Sequence, residues 1–194
     1  MIHSKKNNVM KNILVIVVFL AFGFNLKGQS SRPVDEQKIE LYREIGIANY
    51  WEFNFSVTVS KLSYVLRYNK DDHEAYYYRG LAKGNQGAFA SAIKDFDKAI
   101  ELHQGNVDYY YKRAQSYFEM RKYEKAIFAF EESINKAQAL NQTDNLPIMY
   151  YELAMAQVEV KNLPAACQAL EKADQLGLVN AKRVKKRTCK GRED

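Results

Sequence analysis

The side chains that could hold a metal or attack a bond are few, and their spacing suits neither task. The chain has three histidines, His3, His73 and His103, and two cysteines, Cys167 and Cys189. A zinc site needs three or four ligands at short, characteristic separations, and His73 and His103 have no second ligand at such spacing. No HExxH, GxSxG or Walker-type loop occurs to build a hydrolytic or phosphate-binding centre. Carboxylates are plentiful, but they stand beside lysines in patterns such as Glu124/Lys125 and Asp95/Lys98, which are those of solvated helix faces. These residues predict neither a catalytic step, nor a cofactor, nor a metal. They point to a binding role, and the question becomes which elements present the binding surface.

The first thirty residues form a segment of their own. Lys5, Lys6 and Lys11 precede an unbroken apolar run over residues 13–24, ILVIVVFLAFGF, and polar residues follow at once in Asn25, Lys27, Gln29 and Ser30. That order of basic, apolar and polar segments is that of a secretory signal peptide. Twelve apolar residues span about 18 Å as a helix, well short of the roughly 30 Å hydrocarbon core. Residues 1–28 are therefore read as a signal peptide, cleaved after Gly28 or, in the alternative, after Gly23. The chain is expected to be exported, to the periplasm or outside the cell. The competing reading keeps the segment as an uncleaved membrane anchor; no cysteine follows it to carry a lipoprotein anchor.

The charge is unevenly distributed. The whole chain carries +6, but the first 28 residues contain four lysines and no acid, and residues 181–194 contain seven basic and two acidic side chains. Residues 29–180 therefore sum to −3, so the basic balance lies in the two ends. A nucleic-acid partner is not implied by such a distribution.

A repeat organises what lies between. Gly80, Ala92, Phe96 and Ala99 occupy positions 8, 20, 24 and 27 of a 34-residue frame beginning at His73. One frame later stand Ala114, Ala126, Phe130 and Ser133, and one frame earlier Gly46, Thr58, Leu62 and Val65. A shift of 40 residues gives Ala154, Ala166, Leu170 and Ala173. The repeats run over 39–72, 73–106, 107–146 and 147–180, preceded by a lead-in at 29–38. Small residues at 8, 20 and 27 allow two helices to approach closely, and the large apolar residue at 24 fills the space beside them. A four-helix bundle would have no need of a 34-residue period.

This frame resembles the tetratricopeptide repeat (TPR) family, most clearly in the second copy, AYYYRGLAKGNQGAFASAIKDFDKAIELHQGN. The resemblance implies an all-α, right-handed solenoid of four helix-turn-helix repeats. The chain departs from the pattern in several places: Arg79 and Arg113 stand at position 7 and Lys83 and Gln157 at position 11, where apolar residues are usual, Thr58 and Val65 stand where Ala is usual, and no copy has Pro at position 32. The six extra residues of the third copy predict a longer second helix, then a loop at 142–145, with Pro147 in the first turn of the next helix.

In TPR proteins positions 2, 5, 9, 12 and 13 of each first helix line a concave groove. On this chain the resemblance assigns Arg43, Ile47, Tyr50 and Trp51 from the first copy, and Glu74, Tyr77, Leu81 and Asn85 from the second. The third supplies Asp108, Tyr111, Gln115, Phe118 and Glu119, and the last Ile148, Tyr151, Met155, Val158 and Glu159. Tyr recurs at position 5 in three copies. An aromatic floor with scattered carboxylates suits an extended peptide with apolar and some basic side chains; the other reading packs these tyrosines between the helices. The clamp by which some members grip a C-terminal carboxylate is not expected, since Ile47 stands at a clamp Asn and Asp108 at a clamp Lys.

After Gly177, Asn180 is expected to cap a last helix from Ala181 to about Cys189, which covers the apolar end of the array; residues 181–194 are read as this capping helix and a basic tail. An even cysteine count in an exported chain favours a disulfide, with two free thiols or a metal pair as the other readings. The segment AACQALEKADQLGLVNAKRVKKRTC also resembles the end of many exported bacterial TPR proteins, which implies that Cys167 and Cys189 are bonded. The reading is a non-catalytic scaffold or adaptor of the bacterial envelope, binding a peptide or protein partner. The alternatives are a membrane-anchored assembly subunit, which requires the uncleaved N-terminus, and a basic contact with anionic lipid or polymer through Lys182 to Arg187.

Overall fold

The computed structural model describes residues 34–189, which contain nine helices and no strand. The expected signal peptide and the last five residues lie outside the described part. Helices α1 (Val34–Trp51) and α2 (Phe55–Tyr68) form the first pair, and α3 (His73–Asn85) and α4 (Phe89–Leu102) the second. The third is α5 (Val107–Glu119) with α6 (Tyr123–Ala139), the fourth α7 (Leu146–Glu159) with α8 (Leu163–Gln175), and α9 (Val179–Thr188) closes the array. Each helix packs on its neighbours in sequence, and the first helices of successive pairs also meet, α1 with α3 and α3 with α5. That arrangement is a solenoid with the first helices on its inner wall.

Sterics at the small positions explain the period. Thr58, Ala92, Ala126 and Ala166 at position 20, and Val65, Ala99, Ser133 and Ala173 at position 27, are all without exposed surface. The two hydroxyls are satisfied locally: Thr58 Oγ1 donates to Asn54 O at 3.3 Å and Ser133 Oγ to Phe130 O at 2.8 Å. Position 8 meets position 24 across the first two pairs, Gly46 against Leu62 and Gly80 against Phe96. A Cβ at Gly80 would stand 2.7 Å from Phe96 Cε1, and the Phe96 ring, 2% exposed, has little freedom to retreat. Gly80→Ala is therefore expected to cost about 1–3 kcal/mol through overpacking, despite alanine's better helix propensity. Urea unfolding followed by circular dichroism checks this, and a neutral or stabilising result would overturn it.

The turn between the helices of each pair repeats as strictly as the core. Position 15 adopts positive φ in all four copies: Phe53 (63°), Gly87 (77°), Arg121 (56°) and Lys161 (61°). Its N–H donates to the carbonyl at position 12, and the N–H of position 16 reaches back to position 11, as in Ala88 to Lys83 and Asn162 to Gln157, both at 2.9 Å. This Schellman geometry satisfies carbonyls that the helix end would leave unpaired. Glycine serves it without strain only in the second copy; elsewhere the same pair of backbone hydrogen bonds holds an exposed residue with a side chain in the left-handed conformation.

Several boundaries differ from the sequence expectation. The first helix begins at Val34, so the second half of the lead-in at 29–38 is already helical. The cap helix begins at Val179, and Leu178 rather than Asn180 is its N-cap. The cause is the tight turn at Gly177 (φ 89°), in which Leu178 N–H bonds Ala173 O at 3.0 Å and Leu178 O accepts from Ala181 N at 2.9 Å, starting the helix early. The longer third-copy helix runs to Ala139, and Pro147 lies in the first turn of α7.

Two of the departures from the apolar pattern share one explanation. Arg79 and Lys83 converge on Asp95 of α4, which is 3% exposed. Arg79 donates through Nε at 2.9 Å and Nη2 at 2.7 Å, and Lys83 Nζ at 2.7 Å. Arg79 Nη1 also reaches Ser63 Oγ of α2 at 3.2 Å, tying the first repeat to the second. Arg113 similarly bonds Asp97 at 3.1 Å and Glu132.

Candidate partner-binding trough

The inner wall holds an open trough of about 630 Å³. Tyr50 of α1, Leu81, Gly84 and Asn85 of α3, and Phe89 and Phe96 of α4 line one half. Lys112, Gln115, Ser116, Phe118 and Glu119 of α5, with Tyr151, Glu152 and Met155 of α7, line the other. The size and the mixture of apolar walls with a few convergent polar groups are those of a ligand-binding concavity.

Eight of the residues assigned to the groove from sequence meet in this trough: Tyr50, Leu81, Asn85, Gln115, Phe118, Glu119, Tyr151 and Met155. The rest lie elsewhere. Arg43 is held by carboxylates, with Nε 2.8 Å from Asp72 Oδ2 and further bonds to Glu74 and Glu40, so Glu74 is occupied as well. Asp72 in turn caps α3 through Ala75 N at 2.8 Å. Ile47 and Val158 pack against the core. Trp51 stands edge-on to Tyr50 and Tyr78 at the trough's outer end, half exposed. Asp108 lies close enough to act electrostatically on the Tyr77 and Tyr111 phenols. Ile148 and Glu159, at the two ends of α7, do not reach the lining.

The recurrent tyrosine of position 5 therefore divides. Tyr151 faces the trough, but Tyr111 is 6% exposed and packs on Phe130, while Tyr77 sits between Phe96 and Tyr109, its ring centroid 4.8 Å from that of Tyr109. Burial pushes both phenols well above the usual range. Tyr77 and Tyr111 serve the core, which corrects the picture of a continuous tyrosine floor. His73 and His103 are likewise structural: their rings stack 4.5 Å apart, and His73 Nδ1 is 2.7 Å from the hydroxyl of buried Tyr109, whose phenol is pushed up to about 12 chiefly by burial. No cluster of three or more metal-ligating side chains occurs among the described residues.

Glu152 and Lys112, both at position 6, were missed by the groove assignment. Position 6 lies one helical turn from positions 2 and 9 and shares their face, so the periodicity contained the signal. Glu152 accepts from Gln115 Nε2 with both oxygens at 3.0 Å, and Lys112 Nζ donates to Gln115 Oε1 at 2.9 Å. The Tyr111 hydroxyl completes the set around the carboxylate. Burial raises the Glu152 carboxyl above its ordinary range, against the opposing pull of these hydrogen bonds.

At the chain's end Cys167 and Cys189 are bonded, with their Cα atoms 5.9 Å apart. Lys185 is tied to Glu171 and Asp174, while Lys182, Arg183, Lys186 and Arg187 are exposed. No described helix is long and apolar enough to cross a membrane.

Helix pairing, period and inner trough together define a right-handed tetratricopeptide-repeat solenoid, and the chain is a TPR protein. The family described as Anaphase-promoting complex, cyclosome, subunit 3 matches residues 61–133. The Hsp70-Hsp90 organising protein of Plasmodium falciparum (isolate 3D7) is 29% identical over 99 residues, 47% of this chain. The chain spans only 17% of that relative's length. Among solved structures, MamA 41-end from Desulfovibrio magneticus RS-1 superposes with a TM-score of 0.65 at 23% identity, covering 78% of this chain and 89% of the other. The TPR2B domain of yeast Sti1, solved as its complex with pHsp70, gives 0.56 at 20% identity over 65% of this chain and 98% of that one. TPR proteins of this kind are protein-interaction scaffolds.

Proposed function

We propose that this chain is a non-catalytic scaffold or adaptor of the bacterial cell envelope that holds a peptide or protein partner in its concave trough. The trough itself carries the reading: apolar walls from Tyr50, Leu81, Phe118, Tyr151 and Met155 enclose a volume sized for several residues of extended chain. The convergent side chains are hydrogen-bonding groups rather than a nucleophile with its base, which favours binding over chemistry. Export is supported by the basic-apolar-polar start of the sequence and by the Cys167–Cys189 bond, which suits an oxidising compartment.

The test is affinity capture from the native envelope fraction with the full chain, against a Tyr151→Ala/Met155→Ala variant whose fold is verified by circular dichroism. A partner retained by the parent chain and lost from the variant is the expected result. Equal retention by both would remove the trough from the interaction. N-terminal sequencing of the purified protein tests export separately: a chain beginning near Gln29 is expected, and one beginning at Met1 would overturn the cleaved signal.

A further inference from the structure

Glu152 sits in the trough as a carboxylate with hydrogen bonds but no ion pair. Gln115 Nε2 donates to both of its oxygens, and the Tyr111 hydroxyl adds a third donor. Lys112 is engaged with Gln115 Oε1, and although its charge favours the carboxylate from a distance it forms no ion pair with Glu152. A half-buried carboxylate is costly without a close opposite charge, and Glu152 is half-buried; the Lys112 charge relieves part of that cost and the Glu119 charge adds to it. The donors that surround it do fix its orientation, so the site is built rather than incidental. Tyr151, Met155 and Phe118 line the same trough. Aromatic faces and a thioether are suited to the stem and head of a long cationic side chain.

Resting on the trough being the partner site, we propose that it takes an extended peptide which inserts one lysine or arginine side chain beside Glu152, with Glu152 as its counter-charge. An acidic insert would meet both Glu152 and Glu119, and the one trough cation, Lys112, is already engaged. A hydrogen-bonded carboxylate in a semi-enclosed site gives a charge-assisted bond with directional preference, so the basic residue would recur at one fixed place in every bound sequence.

Selection of phage-displayed random decapeptides on the full-length chain tests this. The expected outcome is a set of peptides with Lys or Arg at a common position. Their affinity should fall about tenfold when that residue becomes norleucine, and by the same factor on Glu152→Gln. In the double change the second loss should vanish, which marks a direct coupling. The norleucine peptide keeps the test independent of how the variant folds. Peptides that bind without a basic residue, or bind Glu152→Gln unchanged, would overturn the ion pair. The trough reading survives that result if Tyr151→Ala/Met155→Ala still abolishes binding. Peptides indifferent to Tyr151→Ala/Met155→Ala, or no selected peptide, would overturn both.

Discussion

Asp95→Ala is expected to lower stability by about 3–5 kcal/mol, a fall in Tm on the order of 10 °C for a chain of this size. The carboxylate is 3% exposed and is the common acceptor for Arg79 and Lys83. Its removal leaves two cations, each mostly shielded from water, with no opposite charge. An exposed pair such as Lys98–Glu101 makes the contrast, since pairs of that kind contribute about 0–1 kcal/mol. The loss arises from stranding the partners, not from any large net value of the cluster. The triple change Arg79→Met/Lys83→Leu/Asp95→Leu should therefore recover the parent stability, or exceed it by about 1–4 kcal/mol. Urea unfolding of parent, single and triple variants measures both quantities. A cost below about 1 kcal/mol for Asp95→Ala would show that water or neighbouring groups already solvate Arg79 and Lys83.

That cluster also marks the limit of what the repeat pattern could reveal. Small residues at positions 8, 20 and 27 are readable one by one, because each is enclosed: Gly46 meets Leu62 and Gly80 meets Phe96, and positions 20 and 27 have no exposed surface in any copy. Arg79 and Lys83 looked like defects in that pattern. Only the fold brings Asp95, twelve and sixteen residues away, between them. The trough obeyed the same division. Leu81, Gln115 and Met155, all at position 9, follow from the groove positions that the family resemblance implies. Whether a position-5 tyrosine faces trough or core depends on the residues the fold sets beside it: Phe130 closes over Tyr111 and Tyr109 over Tyr77, whereas Tyr151 lines the trough. The position 15 turn illustrates the third case. Its left-handed backbone is announced by Gly87 but concealed by Phe53, Arg121 and Lys161, since the helix-end hydrogen bonds there outweigh local preference.

The cap should depend on its disulfide. Helix α9 has ten residues, below the roughly 12–15 at which isolated helices become even marginal in water. Two like-charged pairs one turn apart, Lys182 with Lys186 and Arg183 with Arg187, oppose it further. Its attachments are few: Ala181 fully buried, Leu178 and Val184 partly, and the Lys185 contacts to Asp174 and Glu171, which push the Lys185 ammonium up to about 12. The bond between Cys167 and Cys189 closes a separation of 22 residues, worth about 3 kcal/mol in the chain-entropy treatment. Reduction, or Cys167→Ser/Cys189→Ser, is thus expected to release α9 and uncover the side of α8 that it covers. Hydrogen exchange read by mass spectrometry should show protection lost from residues 179–189 and weakened in α8, while α3 to α7, which carry most of the trough, keep theirs. Unchanged protection in α9 after verified reduction would mean that Ala181, Val184 and the Lys185 ion pairs hold the cap without the covalent link. Loss of protection throughout would mean that the last repeat cannot stand without its cap. The expected local loss follows from the one-dimensional packing of the solenoid, in which α9 packs chiefly on α8.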